Sequence, residues 1–285
     1  MRNARPLLSR RVISLVVLCA VITLAGVGLL ARTPQAPATA APPKPAAAAK
    51  PAAAPAAPTG PSFLLSITNV KPEAWDAYVA LQKAEGIPAL QKGGRTLRRA
   101  WRSQGLGRGY EVAYLYPIKS WGELDDDPPV RKALGADGEK AYNAKLRQMI
   151  VGTRSYALRL RTDLSYGLDS GSAPKMGILA HVQVVPGKQQ AFEGLLKSDW
   201  IPALQKAHVA LYGVYEVQMG GTMGEYYTFT PIDNFAALDA GHPVMRALTA
   251  AQYSLLSSKL GATQSQVERS ITKLDEDLSF GAPAQ

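Results

Sequence analysis

Cysteine and histidine are both scarce in this chain. Its 285 residues include one cysteine, Cys19, so an intrachain disulfide is excluded. The three histidines, His181, His208 and His242, all lie in the second half of the chain and are 27 and 34 residues apart. That spacing matches no local metal-binding motif. We therefore expect no metal and no cofactor, with a site built from the three histidines as the alternative.

Acidic residues are absent from residues 1–62, which hold seven of the Lys and Arg residues. The net charge of +10 is therefore mostly N-terminal, because 10 − 7 leaves only +3 for the rest of the chain. A charge of that size does not indicate a basic surface for nucleic acid. We expect no nucleic-acid partner.

Charge of either sign is missing from residues 12–31, and this uncharged run is long enough to cross a bilayer core, which needs roughly 20 apolar residues. Four arginines lie within residues 1–11, so this basic N-terminus is expected to stay in the cytoplasm. We predict a single-pass anchor in the inner (cytoplasmic) membrane, with the folded part outside the cytoplasm. The alternative is a signal peptide cleaved near Ala36-Pro37-Ala38 or Ala38-Thr39-Ala40, which would leave a secreted or periplasmic protein.

The segment that follows, residues 32–62, is rich in alanine and proline. It has too little apolar bulk to offset the entropy of an ordered chain. Proline favours the extended polyproline II conformation. We predict a disordered linker that holds the folded part away from the membrane.

An internal repeat is the strongest signal in the sequence. The segment IPALQK occurs at Ile87–Lys92 and again at Ile201–Lys206, an offset of 201 − 87 = 114 residues. The same offset relates Asp163–Gly167 (DLSYG) to Asp277–Gly281 (DLSFG). Because one offset holds without a gap from about residue 63 to the end, the chain is predicted to contain two copies of one unit.

Each copy shows the same order of predicted elements. An apolar strand is followed by a helix, two strands joined by a glycine-rich turn, a second helix and a final strand. This is the split βαββαβ pattern. We place repeat 1 at residues 63–168, a short linker at 169–176 and repeat 2 at 177–285.

One βαββαβ unit covers only one face of its sheet with helices, so the two copies are expected to pack sheet against sheet. This arrangement resembles the dimeric α+β barrel superfamily, which includes the antibiotic-biosynthesis monooxygenase, NIPSNAP and EthD families. The predicted fold class is therefore α+β: two tandem ferredoxin-like repeats that form an intramolecular α+β barrel after one N-terminal transmembrane or signal helix. The resemblance implies a ligand cavity between the sheets, but members range from cofactor-free oxygenases to haem enzymes, so it transfers no activity.

Candidate ligand-binding residues follow from strand alternation. On the first strand of repeat 2, one face is purely apolar and is expected to meet the helices, which directs His181 and Gln183 to the barrel interior. Asn69 is the matching position in repeat 1. Tyr114 and Tyr226, on the third strands, are predicted to face the same interior. His181 is the candidate general base; the alternative is that these polar groups only hydrogen-bond to one another or to water.

Arginines crowd the second predicted strand of repeat 1 and its turn. They form either a solvated strand face or a surface that recognises anions. The positions are Arg95, Arg98, Arg99, Arg102 and Arg108.

The leading functional hypothesis is a membrane-tethered extracytoplasmic barrel that binds an unknown small molecule, with the membrane contact made by residues 12–31. An enzyme is the first alternative, either a cofactor-independent oxygenase or an isomerase acting on an aromatic substrate. The second alternative is a structural or partner-binding module.

Overall fold

The computed structural model describes residues 60–168 and 173–281. The predicted basic N-terminus at 1–11, the membrane anchor at 12–31 and nearly all of the linker at 32–62 lie outside the described residues. Within the described part of the chain, no helix has both the length and the apolar character needed to cross a bilayer.

The described residues form two units with the same element order. The strands of the first unit are β1 (Ser62–Val70), β2 (Arg99–Ser103), β3 (Glu111–Ile118) and β4 (Ile150–Leu160), and its helices are α1 (Trp75–Leu81), α2 (Ile87–Lys92) and α3 (Pro129–Met149). The strands of the second unit are β5 (Met176–Val184), β6 (Gly213–Met219), β7 (Glu225–Pro231) and β8 (Gln264–Leu274), and its helices are α4 (Gln189–Leu195), α5 (Ile201–Lys206), α6 (Pro243–Ala247) and α7 (Ala250–Gly261).

The offset found in the sequence also relates these elements. Adding 114 to both ends of β1 gives the ends of β5, and the same addition converts β4 into β8 and α1 into α4. A residue of the first unit and the residue 114 positions later in the chain therefore occupy equivalent places in the two units.

A π-helical turn precedes α2 and α5, at Gln82–Gly86 and Leu196–Trp200. Pro88 and Pro202 fall in the first turn of the helix that follows. Proline has no N–H to donate, and the wider turn before it lets the chain continue in the same direction.

The second predicted helix is interrupted in both units. In α3 the backbone leaves the helical region at Gly135, whose φ is 72°. In the second unit the prediction of one continuous helix is wrong, because α6 ends before Thr249 and α7 begins after it. The Thr249 hydroxyl accepts a hydrogen bond from Gln252 N, and the Gln252 side chain accepts one from Thr249 N, so a capping box starts α7.

The eight strands close into one antiparallel barrel in the order β1-β3-β2-β8-β5-β7-β6-β4. Each unit contributes four adjacent strands, and the units meet where β2 pairs with β8 and β4 pairs with β6. The mixed α/β architecture with a closed barrel confirms the predicted fold at this level. Closure also leaves no unpaired strand edge among these eight strands.

The two repeated DLS segments are exchanged between the units. Leu164, from the first unit, is fully buried in the core of the second, and Leu278, from the second unit, is fully buried in the core of the first. Backbone hydrogen bonds of 3.0 Å then join Tyr166 to Tyr212 and Phe280 to Arg98 in both directions. Each repeat therefore completes the core of the other.

Glycine ends both exchanged segments for a steric reason. Gly167 and Gly281 have φ values of 70° and 77°. A Cβ at Gly167 would lie 2.2 Å from the Ala210 carbonyl oxygen, and one at Gly281 would lie 2.0 Å from the Thr96 carbonyl oxygen. Only glycine fits both the conformation and the space.

Candidate functional site

The barrel interior holds two adjoining cavities of different character. One, of about 590 Å³, has a polar lining, and we call it the polar end. The other, of about 200 Å³, has an apolar lining, and we call it the apolar end. Ile67, Leu179 and Tyr227 line both, so these side chains mark the boundary between the two ends.

Three of the five predicted ligand-binding residues line the polar end: Asn69, His181 and Gln183. Asn69 and Gln183 are equivalent residues on β1 and β5, and both lie near the strand end that leads into the first helix. Gln183 is held by the turn between β6 and β7, because its Nε2 donates to the Met223 carbonyl oxygen at 2.8 Å.

His181 is fixed by a buried carboxylate. Its Nε2 contacts Oε1 of Glu225, which is only 2% exposed. The other carboxylate oxygen, Oε2, accepts a hydrogen bond from the backbone N of Thr222 at 2.6 Å. If Glu225 accepts from Nε2–H, the Nδ1 atom of a neutral imidazole keeps its lone pair, which is the arrangement of an oriented base.

An aromatic stack supports the imidazole from one side. The rings of His181 and Tyr227 are 4.5 Å apart and 8° from parallel, and Tyr156 meets Tyr227 edge-on at 5.5 Å. The Arg154 guanidinium lies over the Tyr156 ring at 4.9 Å. Burial, and then the hydrogen bond with Tyr156, raise the pKa of the Tyr227 phenol well above its ordinary value, so this group stays protonated.

Charges of both signs surround the rest of the polar end. Glu111 is equivalent to Glu225 and is half-buried, and burial raises the pKa of its carboxyl, with Arg108 opposing this effect and Glu268 adding to it. Arg154 and Glu268 are also an equivalent pair, with opposite charges. Equivalent positions at the polar end therefore carry the same side chain in one pair, Glu111 and Glu225, and opposite charges in another, Arg154 and Glu268.

The apolar end is lined mainly by aromatic and aliphatic side chains. Trp101 on β2 and Phe229 on β7 meet with ring centroids 4.9 Å apart, and Phe63 meets Tyr215 edge-on at 5.6 Å. Arg99 is the one arginine that lines this end within the described residues. Its guanidinium is held by the exchanged DLS segment of the second unit, because its Nη1 donates to the Gly281 carbonyl oxygen at 2.7 Å.

The prediction that Tyr114 and Tyr226 face the interior is wrong. Tyr114 points at the helices, where its hydroxyl lies 2.7 Å from that of Tyr78 on α1. The Tyr226 hydroxyl likewise donates to Oε1 of Glu193 on α4 at 2.8 Å. The cause is strand register: Asn69 pairs with Glu111, so alternation along β3 sends Glu111 inward and Tyr114 outward.

Sequence reasoning missed Glu225 and Tyr227, the two residues in contact with His181. On β7 they alternate with Tyr226, so the prediction that Tyr226 faces the interior excluded both of them from the site. Charged side chains are seldom buried, and the burial of Glu225 is visible only in the structure, so the sequence held no signal for the correct face of this strand.

The other two histidines lie elsewhere. His242 caps the start of α6, where its Nδ1 accepts a hydrogen bond from Val244 N at 3.3 Å, and His208 sits in a turn with a φ of 57°. Within the described ranges, no group of three or more metal-ligating side chains comes together.

No protein-family model matches this sequence, and no curated protein matches it. Solved structures do match. An anthrone oxidase-like protein is 10% identical, with a TM-score of 0.52, over 76% of this chain and 92% of that one. A variant of the chlorite dismutase from Candidatus Nitrospira defluvii is 10% identical, with a TM-score of 0.46, over 77% of this chain and 93% of that one.

A NIPSNAP family protein from Agrobacterium tumefaciens is 18% identical, with a TM-score of 0.28, and covers 34% of this chain and 89% of its own length. Such similarity concerns the fold and not the activity. The match to the anthrone oxidase-like protein, at a TM-score of 0.52, supports the barrel fold of the described residues.

Proposed function

We propose that this chain binds an amphipathic small molecule inside the barrel. The observation that carries the proposal is the contrast between the two adjoining cavities. An apolar, flat portion of the ligand would lie among Trp101, Tyr215 and Phe229, and its polar group would lie beside His181 and Glu225. Ligand pockets commonly combine an apolar lining with a few polar groups that fix the orientation of the ligand.

The polar end also limits the chemistry of the ligand's polar group. Arginines and glutamates line it in equal number: Arg108, Arg154, Arg269, Glu111, Glu225 and Glu268. A group with one strong charge would meet as much repulsion as attraction there. A neutral group that both donates and accepts hydrogen bonds, such as a hydroxyl or an amide, matches this lining better.

The proposal includes a membrane tether. Residues 12–31 would anchor the chain in the cytoplasmic membrane, and residues 32–62 would carry the barrel on the outer side. The support is the sequence: an uncharged run of spanning length that follows a basic N-terminus. A barrel held in this way would capture its ligand close to the membrane surface.

A cavity-filling substitution tests the barrel as a binding site. Leu115 lines the apolar end, so Leu115→Trp should fill it, whereas Leu134→Trp adds the same ring at a position 42% exposed on α3. We expect the neutral dye N-phenyl-1-naphthylamine, titrated by fluorescence, to bind the wild type and Leu134→Trp alike and to bind Leu115→Trp about tenfold more weakly or worse. Native mass spectrometry should show any co-purified compound lost from Leu115→Trp in parallel.

Equal binding by all three proteins would place the dye outside the barrel and contradict the proposal. If neither the dye nor a co-purified compound binds the wild type, a structural or partner-binding role accounts better for the barrel.

The contact between His181 and Glu225 favours a second candidate function, proton transfer. In an isomerase of this design, His181 would take a proton from a carbon next to a carbonyl, Glu225 would stabilise the imidazolium, and the proton would return to another carbon. In a cofactor-independent oxygenase, the carbanion left by this proton transfer would instead give its electrons to dioxygen and form a carbon–oxygen bond, and the resulting peroxide would take the proton back from His181. The name of the anthrone oxidase-like neighbour refers to an oxidation. At 10% identity, however, that likeness supports the fold alone. Deuterium uptake from D₂O into a candidate ligand, lost in His181→Ile, would support the enzyme over the binding protein.

A further inference from the structure

A separate pocket lies on the opposite face of the sheet from the barrel interior, between the first unit's strands and its helices. Its volume is about 160 Å³. Its lining combines polar side chains, which include Arg98, Gln82 and four tyrosines, with the aliphatic side chains of Leu90, Val130, Leu146 and Ile150. None of these residues lines the barrel interior.

Arg98 is a buried cation without a counter-ion. It is 1% exposed, and no ion pair in the described part of the chain includes it. Its Nε donates to the Leu278 carbonyl oxygen at 2.7 Å, and its Nη1 donates to Oε1 of Gln82 at 3.0 Å. Its Nη2 has no hydrogen-bond partner among the described residues. A buried charge in this state is costly, so an anion beside Nη2 would stabilise the protein.

Arg161 is a buried arginine whose counter-ions come from this chain. It is 4% exposed, and its guanidinium meets the carboxylates of Asp163 and Glu193. Arg98 has only neutral partners among the described residues and keeps an N–H group free. The difference indicates that the counter-ion of Arg98 comes from outside the chain.

The tyrosines around Arg98 supply further donors. Burial raises the pKa of Tyr142 to about 12, with the hydrogen bond from Gln82 opposing this, and burial also raises the pKa of Tyr116, with Arg98 opposing it. Both phenols therefore keep their protons. The Tyr142 hydroxyl already accepts from Nε2 of Gln82 at 2.9 Å, so its own hydrogen remains to be donated. Among the described residues, no acidic side chain lines this pocket.

We propose that this pocket binds a small monocarboxylate. The carboxylate would accept hydrogen bonds from Nη2 of Arg98 and from Tyr142, since guanidinium groups bind carboxylates with matched geometry. The short apolar part of the ligand would pack against Leu146 and Ile150. The second unit has Tyr212 in place of Arg98 and Leu196 in place of Gln82. Its equivalent pocket is lined by Arg269 and His242 but has no buried arginine at the place of Arg98.

Calorimetric titration of the full-length protein in detergent micelles tests the site with three probes: sodium benzoate, neutral benzamide of the same shape, and inorganic phosphate. We expect saturable benzoate binding, at least about tenfold tighter than benzamide. Arg98→Met should weaken benzoate binding by at least about tenfold. Arg102→Met, which removes a partly exposed arginine paired with Asp275, is the matched control and should bind as the wild type does.

Two further variants distinguish a carboxylate in this pocket from a folding defect and from benzoate bound in the barrel interior. Tyr142→Phe removes one donor with little change in shape, and it should weaken benzoate binding about threefold to tenfold even if Arg98→Met does not fold. Leu115→Trp fills the apolar end of the barrel interior and should leave benzoate binding in this separate pocket unchanged. Failure of the proposed interior ligand site would therefore leave this result standing.

Several results would overturn the proposal: no saturable benzoate binding, equal affinity for benzamide, or unchanged binding in Arg98→Met. Phosphate binding without benzoate binding would also overturn it, because it would show a site for inorganic anions.

Discussion

The carboxylate of Glu225 connects His181 to the turn between β6 and β7. One of its oxygens contacts the imidazole, and the other accepts from Thr222 N at 2.6 Å. The side chain of Glu225 is almost fully buried, so neither interaction is exchanged freely for water. The orientation of His181 and the conformation of this turn therefore depend on the same carboxylate.

His181→Ile introduces the residue found at the equivalent position in the first unit, Ile67. The isoleucine fits the fold but leaves Oε1 of Glu225 buried without its partner. We expect the free energy of unfolding to fall by about 1–3 kcal/mol, measured by urea denaturation.

The double variant His181→Ile/Glu225→Gln should be less destabilised than the sum of the two single variants, because the neutral amide is easier to bury than an unpaired carboxylate. Strictly additive losses would show that the two side chains are not coupled.

His242 should make stability depend on pH. Burial lowers the pKa of its imidazole to about 4, with Arg269 and Arg246 acting in the same direction. The unfolded chain, with an ordinary histidine pKa of about 6.5, then binds more protons than the folded one between these values. Stability should therefore fall as the pH is lowered from about 6.5 to 4, by on the order of 1–3 kcal/mol.

His242→Asn isolates this contribution, since asparagine also caps a helix start and does not titrate. The free energy of unfolding against pH should become flatter in this variant. His208→Asn, a like change in an exposed turn where asparagine tolerates positive φ, is the control and should keep the wild-type slope. Equal slopes for all three proteins would rule out His242 as the source.

Alanine at the glycine of either exchanged segment should be strongly destabilising. Gly167→Ala and Gly281→Ala each combine a positive φ with a Cβ that overlaps a backbone carbonyl oxygen. We expect each to lower the free energy of unfolding by at least about 2 kcal/mol. Gly194→Ala, in the last turn of α4 where the helical chain continues into Leu196–Trp200 and the space around it is open, should instead raise it by about 0.5–1 kcal/mol. A loss at Gly194 as large as at the other two would contradict the steric argument.

A fragment of residues 60–168 should not be a stable monomer. It would lose the partners of β2 and β4 and the core that buries Leu164. Size-exclusion chromatography with light scattering should show either a dimer, in which a second copy completes the barrel, or an unfolded chain. A folded monomer would show that one unit is sufficient.

The tether is tested by fractionation of cells. The full-length protein should remain with membranes after carbonate extraction, and a chain that begins at Gly60 should be soluble. Recovery of a mature N-terminus near Ala41 would show a cleaved signal peptide instead.

Much of the fold could be predicted because the repeat provided two independent constraints on it. The offset of 114 residues fixed equivalent strands, and the order of elements within one copy then implied the sheet topology. The break between α6 and α7 could not be foreseen, because it depends on the capping box of Thr249 and Gln252. The exchange of the DLS segments also depends on contacts between distant residues, although the repeated motif showed that the segment matters.

The site was predictable only on the strands where the two faces differ in polarity. The purely apolar face of β5 placed His181 and Gln183 correctly, and Asn69 followed by equivalence. On β3 and β7 both faces carry polar or aromatic groups, so the phase depends on hydrogen-bond register with β1 and β5. Register is a property of strand pairs and cannot be derived from one strand alone.

The equivalence of Arg154 and Glu268 has a consequence for how such a barrel can change. In a dimer of identical chains, any substitution at this position would appear twice around the axis, and two arginines would face one cavity. In one covalent chain each half mutates independently, so opposite charges, or an isoleucine and a histidine at positions 67 and 181, can occupy symmetry-related places. An unsymmetrical polar end of this kind can distinguish the two edges of an unsymmetrical molecule, which a cavity with strict two-fold symmetry cannot do.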